Sequence, residues 1–173
     1  WVANTGMSMD RSQPNLDMLT RDYDVIVFKH CFPVSEIGPD VGSPDVSSSE
    51  QTLQNYYLQY NALKARLHQF PDKKFILWTG AALRQAETTA DQAMRAKTFF
   101  DWVRTTWDEK GDNIFIWDFY TLETQGGLYM AETNASSDSH PNSAFCQRVA
   151  PLFVNRMLDV IEGRGDSGSL TGE

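Results

Sequence analysis

The chain has 173 residues, a formal net charge of −8, and 41% hydrophobic and 22% charged residues. That is long enough for one domain with its own core and too short for two comfortable ones. The acidity argues against a nucleic-acid partner, whose phosphates need basic patches. No apolar run reaches the ~20 residues that cross a bilayer, and no basic amphipathic helix is present to hold an anionic membrane.

In chain order, Trp1–Asn4 (WVAN) reads as the tail of a strand. Asp24–His30 (DVIVFKH), Lys74–Thr79 (KFILWT) and Asn113–Phe119 (NIFIWDF) are short, β-branched and aromatic. Each is nearly continuous in its apolar residues, the pattern of a parallel strand covered on both faces. Between them the helical period predicts a helix over Ser49–Phe70, with Leu53, Tyr56, Tyr57, Tyr60, Leu63 and Leu67 on one face. Ser47–Glu50 reads as its capped start. A second helix, over Thr89–Lys110, aligns Ala96, Phe99, Phe100, Val103 and Trp107. In the last helix Cys146, Val149, Ala150, Phe153, Val154, Met157, Leu158 and Ile161 repeat at three and four. Pro141 precedes it, Asn142 or Ser143 caps it and Gly163 ends it. The Gly/Ser-rich stretch Gly163–Glu173 reads as a flexible tail or linker, which leaves residues 1–162 as the domain.

Strands alternating with amphipathic helices predict βαβ units, hence a three-layer α/β/α domain with a mainly parallel, flavodoxin-like sheet. In such sheets ligands bind beyond the carboxyl ends of the strands. The loops of interest are therefore Cys31–Ser48, Gly80–Thr88 and Tyr120–Ser139.

The two cysteines, Cys31 and Cys146, are far apart and lack metal-ligand spacing. They read as free, largely buried thiols, with a disulfide as the alternative that geometry decides. His30, His68 and His140 show no zinc pattern, and no metal or cofactor is expected. His30 and Cys31 adjoin at a strand end, but neighbouring strand residues point to opposite faces, which argues against their acting as a pair. Nothing in the sequence from Trp1 onward indicates a compartment.

The opening Asn4-Thr5-Gly6-Met7-Ser8-Met9-Asp10, followed by a short helix and then YDVIVF, resembles the second conserved block of the SGNH/GDSL hydrolases. The far end, Asp138-Ser139-His140-Pro141-Asn142 ahead of an amphipathic helix, is similar to their last block. The resemblance runs from Trp1 to about Gly163. It implies an ester hydrolase in which a serine attacks the carbonyl, a histidine moves its proton, an acid orients the histidine, and backbone N–H and Asn donors hold the oxyanion. His140 corresponds to the base and Asp138 to the acid, here two residues before the histidine instead of three. The family's glycine falls at Met9, and its Asn near Pro33, which has neither a side-chain nor a backbone donor. Ser8 and Ser35 are the nearby hydroxyls. The serine block would precede Trp1, so the domain is expected to be N-terminally truncated, with an unpaired sheet edge at Trp1–Asn4 or Val25–Phe28.

Each feature also has a plainer reading. His140 could cap its loop, and Asp138 could close an Asx-turn ahead of Pro141. Ser8 and Ser35 could be ordinary loop polarity. Gly165-Asp166-Ser167 spells the family's nucleophile signature but follows a helix, without the strand–turn–helix setting a nucleophile needs. Arg164-Gly165-Asp166 is a common tripeptide, and Asn134-Ala135-Ser136 is a glycosylation sequon that matters only in a secretory host. Two functions follow. One is an ester hydrolase acting on acyl or acetyl esters of small molecules or carbohydrates. The other is a non-catalytic α/β domain that keeps the fold for binding or scaffolding.

Overall fold

A computed structural model describes residues 1–9 and 12–173. Five helices and a three-stranded sheet alternate: α1 (Leu16–Asp22), β1 (Val25–Lys29), α2 (Leu53–Leu67), β2 (Lys74–Trp78), α3 (Ala90–Trp102), β3 (Ile114–Trp117), α4 (Phe119–Thr124) and α5 (Ser143–Ile161). The last turn of α3 widens into a π-turn over Val103–Trp107. The three strands are those expected from sequence. They pair in parallel, in the order β1-β2-β3, with Val25 beside Lys74 and Phe75 beside Ile114.

Period-two alternation sends strand side chains to opposite faces, and both faces are apolar. Ile26, Phe75, Leu77, Ile114 and Ile116 join one core with Tyr56 and Leu67 of α2 and Ala96, Phe99 and Phe100 of α3. Ile76, Phe115 and Trp117 join a second with Phe145, Val149 and Val160 of α5. Side chains fix the helix starts: Asn15, Thr52, Asp118 and Asn142 each accept a backbone N–H of the first turn, and Thr89 with Gln92 forms a capping box. The cap of α2 is thus Thr52, later than Ser47–Glu50. Asp45 instead accepts the Ser47 N–H and hydroxyl in a local turn.

Trp1–Asn4 forms no strand. The Trp1 ring packs edge-on against Phe28 (5.5 Å) and its indole donates to the Pro14 carbonyl. Lys74 N donates to Asp24 O and His30 N to Trp78 O, so in the alternating ladder the Val25, Val27 and Lys29 N–H and C=O groups face away from β2. The outer edge of β1 therefore carries no further strand among the described residues.

Two expectations about the C-terminal region change. On α5, Val149, Phe153 and Met157 of the expected face pack on the second core, but that face also takes in Phe145, Arg156 and Val160, whereas Val154, Leu158 and Ile161 are about half exposed. Arg156 is accommodated on this face because its guanidinium donates to the carbonyls of Ile116 (2.6 Å) and Gly165 (2.7 Å). The stretch after Gly163 is not a loose tail. Asp118 N donates to Leu170 O (2.8 Å), Trp117 Nε1 to Thr171 O (3.0 Å) and Asn155 Nδ2 to Gly172 O (3.0 Å). These bonds lay the segment along the end of β3. A Cβ added at Gly165 would run into the Phe115 ring, which is itself held in the core. Gly165→Ala is expected to lower the unfolding free energy by about 1–3 kcal/mol, the usual cost of overpacking, as measured by urea denaturation.

Candidate active site

The β3–α5 connection ends in a tight hairpin. Ala135 and Pro141 form an antiparallel bridge, Ser136 N donates to His140 O (2.8 Å) and Asn142 N to Asn134 O (2.8 Å). Two asparagines anchor it. Asn142 caps α5 through Phe145 N, and its amide nitrogen donates to the Thr133 and Ala135 carbonyls. Asn134 is fully buried, its amide nitrogen donating to Leu122 O and Glu123 O and its oxygen accepting from Arg148. That nitrogen is occupied and shielded, so the sequon offers no acceptor in the folded state.

At the tip, one carboxylate performs both tasks considered for it. Asp138 Oδ1 accepts from Ser136 Oγ (2.7 Å) and His140 N (3.0 Å), closing the turn. Asp138 Oδ2 lies 3.1 Å from His140 Nδ1. The Ser136 hydroxyl first, then the His140 backbone and ring, pull the Asp138 carboxyl down to about 2, so it is ionised at neutral pH. An ionised partner fixes the proton on Nδ1 and leaves the lone pair on Nε2, the atom a general base uses. His140 is exposed, and its ring stacks on Phe32 at 4.9 Å and 28°.

Phe32 follows β1, and the loop after β2 completes the same rim. Arg84 N donates to Ser139 Oγ (3.0 Å), Arg84 NH1 to Ser137 O (2.9 Å), and its guanidinium pairs with Glu132. The buried Ser139 hydroxyl also donates to Glu87. These contacts gather all three carboxyl-end loops around a groove of about 310 Å³ lined by Phe32, Pro33, Glu36, Leu83, Glu87 and Asp138. Sequence reading identified the loops but not Phe32, Arg84, Glu87 or Ser139, because nothing local in the sequence marks contacts made across such separations.

The other candidates are placed elsewhere. Ser35 is 2% exposed, and its Oγ has no partner and lines a small closed space beneath Leu83 instead of the groove. Ser8 and Met9 lie in the N-terminal loop. The Ser8 carbonyl accepts from Asn15 Nδ2, Met9 is 52% exposed, and no described hydrogen bond joins either residue to His140 or Asp138. Asp10 falls outside the described residues. His30 points into the core, bonded to Tyr60 Oη (2.9 Å) and Val34 O (3.2 Å), and burial lowers it to about 4. It stays neutral and pairs with no thiol. Gly165-Asp166-Ser167 sits at the opposite end of the sheet, where Asp166 accepts from Gly111 N ahead of β3.

Both cysteines are free, as expected, but exposed instead of buried. Cys31 lies in the loop beyond β1, and Cys146 on the outer side of the first turn of α5. Both thiols are expected to react with a disulfide reagent in the native protein, and the titration should give two equivalents before unfolding.

No family model, curated protein or solved structure matches the chain.

Proposed function

We propose that this domain is a serine ester hydrolase of the SGNH type, a three-layer α/β/α fold in which His140 is the general base and Asp138 orients it. The observation that carries this reading is the 3.1 Å contact between Asp138 Oδ2 and His140 Nδ1 at the carboxyl rim of a parallel sheet. That contact leaves Nε2 without a described protein partner beside the groove. In the reaction, Nε2 takes the proton of the attacking serine hydroxyl as its oxygen bonds to the ester carbonyl. It then returns the proton to the departing alcohol, and a water repeats the cycle on the acyl-enzyme. On this reading the serine is supplied by sequence preceding Trp1. The substrate is a small-molecule or carbohydrate ester carrying a short acyl or acetyl group. A groove of apolar surface (Phe32, Pro33, Leu83) interspersed with carboxylates (Glu36, Glu87) suits a sugar, whose C–H face packs on rings while its hydroxyls donate to carboxylate oxygens. No step calls for a cofactor.

One observation favours the alternative, a non-catalytic binding domain of the same fold. None of the oxyanion candidates Ser8, Met9 and Ser35 lines the groove or has a described hydrogen bond to His140. Hydrolysis of acetylated monosaccharides by the protein with its preceding sequence separates the two readings. Acetate release that disappears in His140→Ala supports the enzyme, whereas saturable sugar binding without acetate release supports the binding domain.

A further inference from the structure

Three consecutive residues of the loop after β2 fasten it to the β3–α5 connection, the third of them to the His140 hairpin itself. Ala82 N donates to Glu123 Oε2 (2.7 Å), Leu83 O accepts from Met130 N (2.9 Å), and Arg84 N donates to Ser139 Oγ (3.0 Å). Glu123, in α4, is the innermost of these fastenings. Its backbone carbonyl also accepts from Ala131 N and Asn134 Nδ2, each at 3.0 Å, so one residue touches both the loop and the base of the hairpin. Gly80, at φ +98°, allows the approach: a Cβ there would meet Glu123 Oε2 at 3.0 Å and Phe119 at 3.3 Å.

The Glu123 side chain is fully buried, and its second oxygen, Oε1, has no partner. An ionised carboxylate with one bare oxygen in such a place loses its hydration without replacement, whereas the neutral acid loses far less. Few charges offset this. Among the described residues, Lys29, at the end of β1, is the cation that acts on it, and Tyr120, one turn earlier in α4, is a further titratable neighbour. The segments Gly80–Leu83 and Met130–Ala131, and Asn134, bring no titratable side chain.

We propose that Glu123 is a positioning residue of the His140 site that works as the neutral carboxylic acid, holding the Ala82–Arg84 ladder in place while it keeps its proton. Burial pushes its pKa up to about 8. The sign follows from linkage. A folded-state pKa raised above the unfolded value favours the ladder most at low pH, and this advantage is lost as pH rises from the ordinary Glu range of about 4.3 toward 8. Above that pH no further change follows.

Amide hydrogen exchange of the full chain tests this without needing catalysis. In the wild type, the protection of the Ala82 and Arg84 amides, corrected for intrinsic rates, should fall by up to about tenfold per pH unit between pH 5 and 8 and then level off. Glu123→Gln keeps an acceptor for Ala82 N but carries no charge, and its protection should be independent of pH. Glu123→Leu removes the acceptor, so protection of the Ala82 amide should be low and flat. Wild-type protection that does not change with pH, an equal slope in Glu123→Gln, or full protection in Glu123→Leu would overturn the proposal. A second arm rests on the hydrolase reading: the ratio of ester hydrolysis by Glu123→Gln to that by the wild type should rise between pH 5 and 8, with KM unchanged at pH 5. Absence of hydrolysis throughout would remove the enzyme reading and leave the exchange result intact.

Discussion

Replacing Arg156 by methionine should lower the unfolding free energy by about 3 kcal/mol, the largest stability effect expected of a single polar side chain here. The side chain is 1% exposed and bonds two carbonyls from different segments, Ile116 in β3 and Gly165 after α5. Methionine fills much of the volume but leaves both carbonyls without a donor, each at roughly 1–3 kcal/mol. Asp108 adds to the loss. Burial, with Asp112 next, raises that carboxyl to about 6, and Arg156 is the first of the groups that hold it down. Without the guanidinium Asp108 rises further, so more of it is protonated at neutral pH. Arg156→Lys should recover only part of the loss, since an ammonium lacks the planar fork that reaches two acceptors. Urea denaturation of the three proteins at pH 7 measures this.

Arg156 also marks where sequence patterning gave out. On the last helix periodicity placed Val149, Phe153 and Met157 correctly against the core, but it also drew in Val154, Leu158 and Ile161, which are about half exposed. The packed face contains an arginine, whose burial becomes intelligible only once the two carbonyls it meets are known. The Gly/Ser-rich C-terminal stretch misled for a related reason. Composition signals freedom, but Leu170 and Thr171 offer carbonyls to Asp118 N and Trp117 Nε1, partners more than fifty residues upstream for the side-chain contact. β2 and β3 were legible because burial on both faces makes their apolar runs nearly continuous, as in Ile114–Trp117, whereas β1, read by the same pattern, buries Ile26 but leaves Val27 exposed. The face of α3 was legible because Ala96, Phe99, Phe100, Val103 and Trp107 form one stripe, and all five are buried. At the candidate site, His140 and Asp138 were visible because they lie two residues apart. Phe32, Arg84 and Glu123 were not, since their relation to the hairpin exists only after the three loops converge.

The largest effect on activity is expected at His140. On the hydrolase reading, His140→Ala should lower kcat/KM for a short-chain ester by at least ~100-fold, the lower range for loss of a general base. Stability should move by no more than ~0.5 kcal/mol, because the ring is exposed where it stacks on Phe32 and meets Asp138. That separation matters, since a loss of activity accompanied by unfolding would say nothing about the base. Asp138→Asn makes a useful contrast. It keeps an acceptor for the turn but removes the charge that fixes the His140 proton on Nδ1, so activity should fall while the hairpin persists. His140→Ala with undiminished turnover would assign the ring to loop structure alone.

The most direct test of the central claim is stoichiometric labelling by a fluorophosphonate of the protein with the sequence preceding Trp1 included, read by intact mass and peptide mapping. The hydrolase reading predicts one adduct, on a serine upstream of Trp1, forming at least ~100-fold more slowly in His140→Ala. No adduct in the wild type, or an adduct that forms equally fast without His140, would contradict it.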